Sequence, residues 1–133
     1  MRKFYHLETC FCAALLLCMS GCGDPQVSGT VTFSDGSPLM GGMVVLQSDK
    51  NQGIGEIRHD GTFRVYQFRP GDGLKPGKYR GYITGAMVAD DQGRTTSLIP
   101  DRYTDMETSG IDYDSSVHKG KLDIVIDALP PQR

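Results

Sequence analysis

Apolar and polar residues alternate with a period of two along most of the chain after residue 26. Side chains in a β-strand point to opposite faces in turn, so this alternation predicts strands with one buried face. An amphipathic helix needs apolar residues at i, i+3, i+4 and i+7 over about three turns. Outside the N-terminal segment, the sequence contains no window with this spacing. The predicted strands, one of which is a short apolar run, are residues 27–33, 43–46, 55–59, 62–68, 79–84 and 122–127.

Turn-forming residues separate these segments. Asp60-Gly61 predicts a β-hairpin with a type I′ turn, since both central residues of that turn take a positive φ. Asp35-Gly36, Pro76-Gly77 and Gly120 mark further turns. Six or seven strands at this spacing predict an all-β fold, a single antiparallel β-sandwich of about seven strands. Residues 86–121 are polar and rich in turn residues, and they predict a long loop that folds back on the sandwich.

The N-terminus has a different pattern. A cationic start, Met1-Arg2-Lys3, precedes an apolar run that is strongest from Phe11 to Met19 and ends in the small residues Ser20-Gly21. This order predicts a secretory signal peptide. The apolar run is shorter than the roughly 20 residues that a membrane-spanning helix needs.

The four cysteines all lie in this segment, at Cys10, Cys12, Cys18 and Cys22. A zinc site needs cysteine pairs separated by a loop, and Cys10 and Cys12 have no partner pair downstream. Cleavage before Cys22 leaves one cysteine, which excludes a disulfide framework. The stretch Leu17-Cys18-Met19-Ser20-Gly21-Cys22 resembles the bacterial lipobox. The resemblance implies a diacylglyceryl thioether on Cys22 and cleavage before it; an ordinary or uncleaved signal peptide is the alternative.

These predictions divide the chain into a signal peptide at 1–21, a lipidated tether at 22–26, a β-sandwich domain at 27–128 and a tail at 129–133. Removal of residues 1–21 from the 133 leaves 112 residues, with 12 basic and 15 acidic side chains. The net charge of about −3 on the cleaved chain argues against a nucleic-acid partner, because nucleic-acid binding requires a basic patch.

Three stretches carry a further resemblance: VSGTVTFSDGSPLMGGMVVLQ (27–47), DGTFRVY (60–66) and LKPGKYRGYI (74–83). They are similar to the carboxypeptidase regulatory-like domain, a transthyretin-like sandwich related in shape to immunoglobulin domains. Together with the lipobox they resemble short bacterial lipoproteins that carry only this domain. In carboxypeptidases the domain is accessory and holds no metal ligand, so the resemblance implies no catalytic residue.

Two residue groups could hold a metal or serve catalysis. The acidic residues of the long loop could supply calcium ligands, but an Asp-x-Asp-x-Asp-Gly loop is missing, and a solvated acidic loop is expected. His59 and His118 accompany no nucleophile motif and are expected at the surface. We therefore predict no metal and no cofactor. The acidic residues are Asp101, Asp105, Glu107, Asp112 and Asp114.

The tetrapeptide Tyr79-Arg80-Gly81-Tyr82 resembles the C-terminal tetrapeptide of hydroxyisourate hydrolases, in which it lines a site shared between subunits. Here about fifty residues follow it. A strand with Tyr79 inward and Arg80 outward is the favoured interpretation, with the Tyr79 hydroxyl bonded to nearby backbone as in a tyrosine corner.

A possible binding surface is formed by Arg102, Tyr103 and Tyr113, because exposed aromatic side chains mark surfaces for glycans or proteins. The alternative is that Tyr103 holds the long loop on the core.

The sequence thus predicts a non-catalytic, lipid-anchored module of the bacterial cell envelope with a binding or structural role. Its expected partners are the membrane, through the lipid on Cys22, and an envelope protein or glycan. Gly23 after the cysteine favours the outer membrane by resemblance to lipoproteins of Gram-negative bacteria. The alternative is an envelope glycan-binding protein or small enzyme that works through residues 86–118.

Overall fold

The computed structural model describes residues 23–131, and the signal-peptide prediction for residues 1–21 lies outside this range. Nine strands, one 3₁₀ helix and one short α-helix follow one another along it. The strands are β1 Val27–Phe33, β2 Met43–Gln47, β3 Gln52–Glu56, β4 Thr62–Val65, β5 Lys78–Thr84, β6 Met87–Ala89, β7 Thr95–Ser97, β8 Ile111–Asp114 and β9 Lys121–Ile126. The 3₁₀ helix spans Asp101–Thr104, and α1 spans Ser115–His118.

Seven strands form two sheets, and this confirms the predicted all-β sandwich of about seven strands. One sheet has the order β4-β1-β9 and the other the order β3-β2-β5-β8, while β6 and β7 form a separate hairpin. The ladders are antiparallel except for β1 with β9, which run parallel. Such a pair requires a long connection, and here the whole second sheet lies between the two strands in sequence.

The core lies between the two sheets and is filled by the inward residues of each alternating strand. In β9, Leu122, Ile124 and Ile126 are buried and the residues between them are exposed. Val44, Val45 and Leu46 of β2 are all buried, as predicted for a strand covered on both faces. The largest fully buried side chains come from strands and connections alike: Tyr113, Leu39, Leu46, Leu74, Ile83, Ile99 and Ile126.

The turn at Asp60-Gly61 joins β3 of one sheet to β4 of the other. The Arg58 N–H donates to the Thr62 carbonyl at 2.9 Å, and the Gly61 N–H donates to the Arg58 carbonyl at 2.8 Å. Gly61 has φ 82° and Asp60 is not in the positive region, so the predicted type I′ turn is wrong. The loop has three residues and a left-handed glycine at its end, a geometry common in hairpins, although the strands that it joins here belong to different sheets.

Residues 86–121 are more regular than the predicted loop. They contain the β6–β7 hairpin, the 3₁₀ helix, β8 and α1, and β8 pairs with β5 at the edge of the larger sheet. Ser109 supports that edge, since its hydroxyl donates to the Gly81 carbonyl and accepts from the Ile111 N–H at 3.1 Å. Strands of three and four residues are too short for alternation to identify them.

Aspartates hold several of the tight turns. Asp35 Oδ1 accepts from the N–H and the hydroxyl of Ser37, at 2.9 Å and 2.6 Å. Asp60 Oδ1 accepts from the same two groups of Thr62, at 3.0 Å and 2.6 Å. In both turns the hydroxyl bond, followed by the backbone bond, lowers the pKa of the aspartate below its ordinary value.

We expect the domain to lose stability in acid through these turns. A carboxyl whose folded pKa lies below its unfolded value stabilises the fold above the unfolded pKa of about 3.9, and this contribution is lost as the pH falls through the folded pKa. The same direction holds for Asp90, bonded by Arg94, and Asp114, bonded by Ser116. The melting temperature should therefore be level near neutral pH and fall below pH 4, which thermal unfolding at stepped pH measures. Asp60→Asn should make that fall shallower, and an unchanged slope would contradict the assignment.

Among residues 23–131 there is no helix whose length and hydrophobicity would let it cross a membrane.

Candidate functional site

A cleft of about 810 Å³ lies on the outer side of the larger sheet, at the end where β2 finishes and β5 begins. The β2–β3 turn, residues 48–51, forms one wall. Outward side chains of β5 and β8 form the floor, and Met106 closes one side. The same end of the sandwich contains the start of β1, because Leu74 donates its N–H to the Pro25 carbonyl at 2.9 Å and Tyr79 donates its hydroxyl to the Lys75 carbonyl at 2.7 Å.

The floor of the cleft carries charges of both signs in register. Lys78 lies opposite Asp114 and Arg80 opposite Asp112 across the β5–β8 ladder. Arg80 Nη1 also donates to Glu107 Oε2 at 2.9 Å. Opposite charges in facing positions stabilise a strand pair by about 0.2–1 kcal/mol, and these groups are exposed enough to exchange partners with a ligand.

Tyr79 is buried at the base of the cleft, and Arg80 points outward, as predicted for the tetrapeptide at 79–82. The Tyr79 hydroxyl bonds the Lys75 carbonyl four residues earlier, which confirms the tyrosine-corner prediction. Burial raises the pKa of Tyr79, and the nearby carboxylate of Asp24 raises it further. The phenol therefore stays protonated and acts as a hydrogen-bond donor.

Tyr113 and His118 form a second structural pair beside the cleft. Their rings stack at 5.4 Å, and the Tyr113 hydroxyl accepts from the Gly120 N–H at 3.0 Å. His118 Nδ1 accepts from the Asp114 N–H at 2.9 Å. These bonds fasten α1 to the end of β8.

The structure places the predicted aromatic surface differently. Tyr103 is 4 % exposed and Tyr113 is 2 % exposed, so their rings do not form an exposed patch with Arg102. The expectation of such a patch is wrong because both rings fill the core between the sheets. Tyr103 instead holds the 3₁₀ helix on the core, which was the alternative: its hydroxyl accepts from the Asp127 N–H at 3.0 Å, and Arg102 bonds the same hydroxyl and the Asp127 carboxylate.

The acidic residues between 101 and 114 do not come together at one site. Within residues 23–131 the structure brings no three histidine, cysteine, aspartate or glutamate side chains together as a metal site. His59 is exposed in the turn between β3 and β4, where it was expected. What the cleft offers is hydrogen bonding and charge for a bound polar molecule. The absence of a metal, cofactor or nucleic-acid partner stays a prediction.

The sequence alone did not predict the cleft. Its signal is present as Lys78-x-Arg80 and Asp112-x-Asp114, two pairs of like charges at the spacing of one strand face. Only the pairing of β5 with β8 brings the two pairs together. The predicted lipidation residue, Cys22, lies outside the described residues, directly before Gly23.

No protein-family model matches the chain, and no curated protein matches it significantly. Among solved structures, the chain is similar to a crystal structure of a variant of BcpA, the major pilin subunit of Bacillus cereus. The TM-score is 0.53 and the sequence identity 16 %, and the match covers 81 % of this chain and 30 % of that chain. At this identity the likeness concerns the fold: this chain spans less than a third of the pilin subunit and shares the shape of a β-sandwich.

Proposed function

We propose that the chain is a non-catalytic module of the bacterial cell envelope, anchored to a membrane by lipid on Cys22. The lipobox-like residues 17–22 support the anchor. The fold supports a module at the cell surface, because the sandwich that it resembles belongs to a pilin subunit. The side chains near the cleft support the non-catalytic role, since Tyr79 and His118 are engaged in bonds to the backbone.

The observation that carries this proposal is the small number of residues between the cysteine and the folded domain. Val27, the first residue of β1, is already buried in the core, and four residues separate it from Cys22. A lipid at that position would keep the sandwich against the membrane, because no long flexible linker separates the two.

Within the sandwich class, we assign the domain to the carboxypeptidase regulatory-like group. Support comes from the turns in the resembling stretches. Asp35-Gly36-Ser37 and Asp60-Gly61-Thr62 adopt the same geometry, with a left-handed glycine and an aspartate that accepts from the next hydroxyl residue. Pro76-Gly77-x-Tyr79 ends in the tyrosine corner. In that group the domain is an accessory module, which agrees with a binding or structural role.

Lipidation is tested by expressing the full chain in a bacterium fed an alkyne fatty acid. We expect the wild type to carry the label and its mature form to begin at a diacylglyceryl-modified Cys22 in mass spectrometry. Cys22→Ser should abolish the label and remain uncut. Cys18→Ser, four residues earlier in the same segment, is the matched control and should be labelled like the wild type. An unmodified N-terminus upstream of residue 22 in the wild type would refute the anchor.

The cleft favours a second candidate function, the binding of an envelope glycan. Its paired charges suit a muropeptide, which presents carboxylates, an amine and sugar hydroxyls together. Loss of one charge-assisted hydrogen bond costs about 1.5–3 kcal/mol, so Arg80→Gln should weaken retention of the full chain on isolated peptidoglycan by about tenfold or more. Arg94→Gln removes an exposed arginine that pairs with Asp90 away from the cleft, and it should bind like the wild type. Equal retention of both variants would exclude the cleft as the glycan site.

A further inference from the structure

The four residues before β1 are packed against one loop of the domain, residues 67–75. Leu74 donates its N–H to the Pro25 carbonyl at 2.9 Å, and Gln26 Nε2 donates to the Gly71 carbonyl at 2.7 Å. Gly73 lies so close to Asp24 that a Cβ on it would come within 2.0 Å of the Asp24 carbonyl oxygen. The chain therefore leaves the domain in a fixed position and direction beside this loop.

The distance from this fixed position to Cys22 is short. Consecutive Cα atoms are about 3.8 Å apart, so the Cα of Cys22 lies within about 8 Å of the Cα of Asp24. A lipid on Cys22 would draw the loop at 67–75 to the surface of the bilayer. The tether is too short for the opposite end of the sandwich to take its place.

This end of the sandwich presents apolar side chains to solvent. Among residues 23–131, Phe68 at 87 % is the most exposed large hydrophobic side chain, and Val117 at the same end is 70 % exposed. Phe68 lies in the loop that Gln26 bonds, and Val117 lies in α1, just before Gly120, whose carbonyl accepts from the Ser28 N–H at 3.0 Å. Both residues thus belong to segments that bond the chain where it enters β1.

The two loops that contact the residues before β1 are net cationic. Residues 67–77 and 115–120, which bond or touch Pro25, Gln26 and Ser28, contain the cations Arg69, Lys75 and Lys119 and the carboxylate Asp72. Residues 23–26 add one carboxylate, Asp24. The anionic surface of a bacterial membrane attracts the three cations.

From these observations we infer that the loop at 67–75 rests on the bilayer that holds the lipid of Cys22, with Phe68 inserted at the boundary between headgroups and acyl chains. Arg69, Lys75 and Lys119 face the lipid phosphates. The acyl chains supply the affinity, and Phe68 with these cations fixes the orientation of the sandwich. This inference rests on the proposed lipid anchor, and its occupant is the membrane surface itself.

The chain contains no tryptophan, so one introduced tryptophan reports its own surroundings. Phe68→Trp is placed in the full lipidated chain and reconstituted into vesicles of phosphatidylethanolamine and phosphatidylglycerol. Its emission should shift to the blue and lose most of its intensity when brominated phosphatidylcholine replaces part of the lipid. Met87→Trp is the matched control: Met87 is 59 % exposed on β6 at the far end, and a tryptophan there should keep the emission of a residue in water.

Co-flotation with the vesicles separates the two ways in which the inference can fail. If the vesicle-bound Phe68→Trp variant emits and is quenched like the Met87→Trp variant, the orientation is overturned and the lipid anchor is left intact. Protein that fails to float would refute the anchor, and the orientation with it. Because Phe68 is so exposed, the substitution does not disturb the core, and an unchanged far-ultraviolet spectrum confirms the fold of each variant.

Discussion

Gly29→Ala is expected to destabilise the domain strongly. Gly29 lies in β1, the central strand of the smaller sheet, directly opposite Leu122 of β9. A Cβ on Gly29 would come within 1.7 Å of the Leu122 carbonyl oxygen and 3.2 Å of the Phe63 ring. The first obstacle is backbone, so no change of rotamer relieves it, and β1 and β9 would have to separate. We expect a loss of about 4 kcal/mol or more, a large part of the roughly 5–15 kcal/mol by which such domains are stable.

Urea unfolding, followed by far-ultraviolet circular dichroism, measures the loss. Gly41→Ala is the matched control, because a Cβ there meets no atom within 4 Å and Gly41 is outside the left-handed region. Its stability should stay within about 0.5 kcal/mol of the wild type. A Gly29→Ala variant with a wild-type midpoint would contradict the close approach of β1 and β9.

Alternation in the sequence predicted the strands whose two faces differ in environment. β1, β5 and β9 contain six or seven residues each, with one face in the core and one in solvent, so their pattern repeats three times. The tyrosine corner was predictable for a related reason: Pro76-Gly77-x-Tyr79 is a local motif whose hydrogen bond spans only four residues.

Contacts between distant residues could not be predicted in this way. The parallel partnership of β1 with β9 joins segments about ninety residues apart, and no local pattern encodes which strand becomes the neighbour. The burial of Tyr103 and Tyr113 depends on the same long-range packing, and so does the cleft between Lys78 and Asp114. β8 has only four residues, so it could be recognised as a strand only if β5 were already known to be its partner.

The turn at Asp60 shows how side chains change a local prediction. Asp-Gly suits a type I′ turn when only backbone angles are considered. Here the hydroxyl of Thr62 follows the pair, and both it and the Thr62 N–H donate to the Asp60 carboxylate. That arrangement goes with a three-residue loop, in which Gly61 alone is left-handed.

Tyr103→Ala should be the most destabilising change in the segment between β5 and β8. The Tyr103 ring is almost fully buried against the core, and it is the only buried residue of the 3₁₀ helix. Truncating a buried aromatic side chain to alanine costs about 3–5 kcal/mol, because packing is lost and a cavity remains. The 3₁₀ helix should then detach from the core, together with the hydroxyl bond that ties it to the end of β9.

Tyr103→Phe separates the ring from the hydroxyl. It keeps the packing and the Arg102 guanidinium over the ring, which lies 4.5 Å from the ring centroid. It removes the acceptor of the Asp127 N–H, and since Asp127 is exposed, water can replace the lost bond at a cost of about 1 kcal/mol. Thermal and urea unfolding should therefore rank the wild type above Tyr103→Phe and both well above Tyr103→Ala. If Tyr103 instead served a ligand from the surface, both variants would unfold at the same temperature and urea concentration as the wild type, because the Tyr103 ring would contribute nothing to the core.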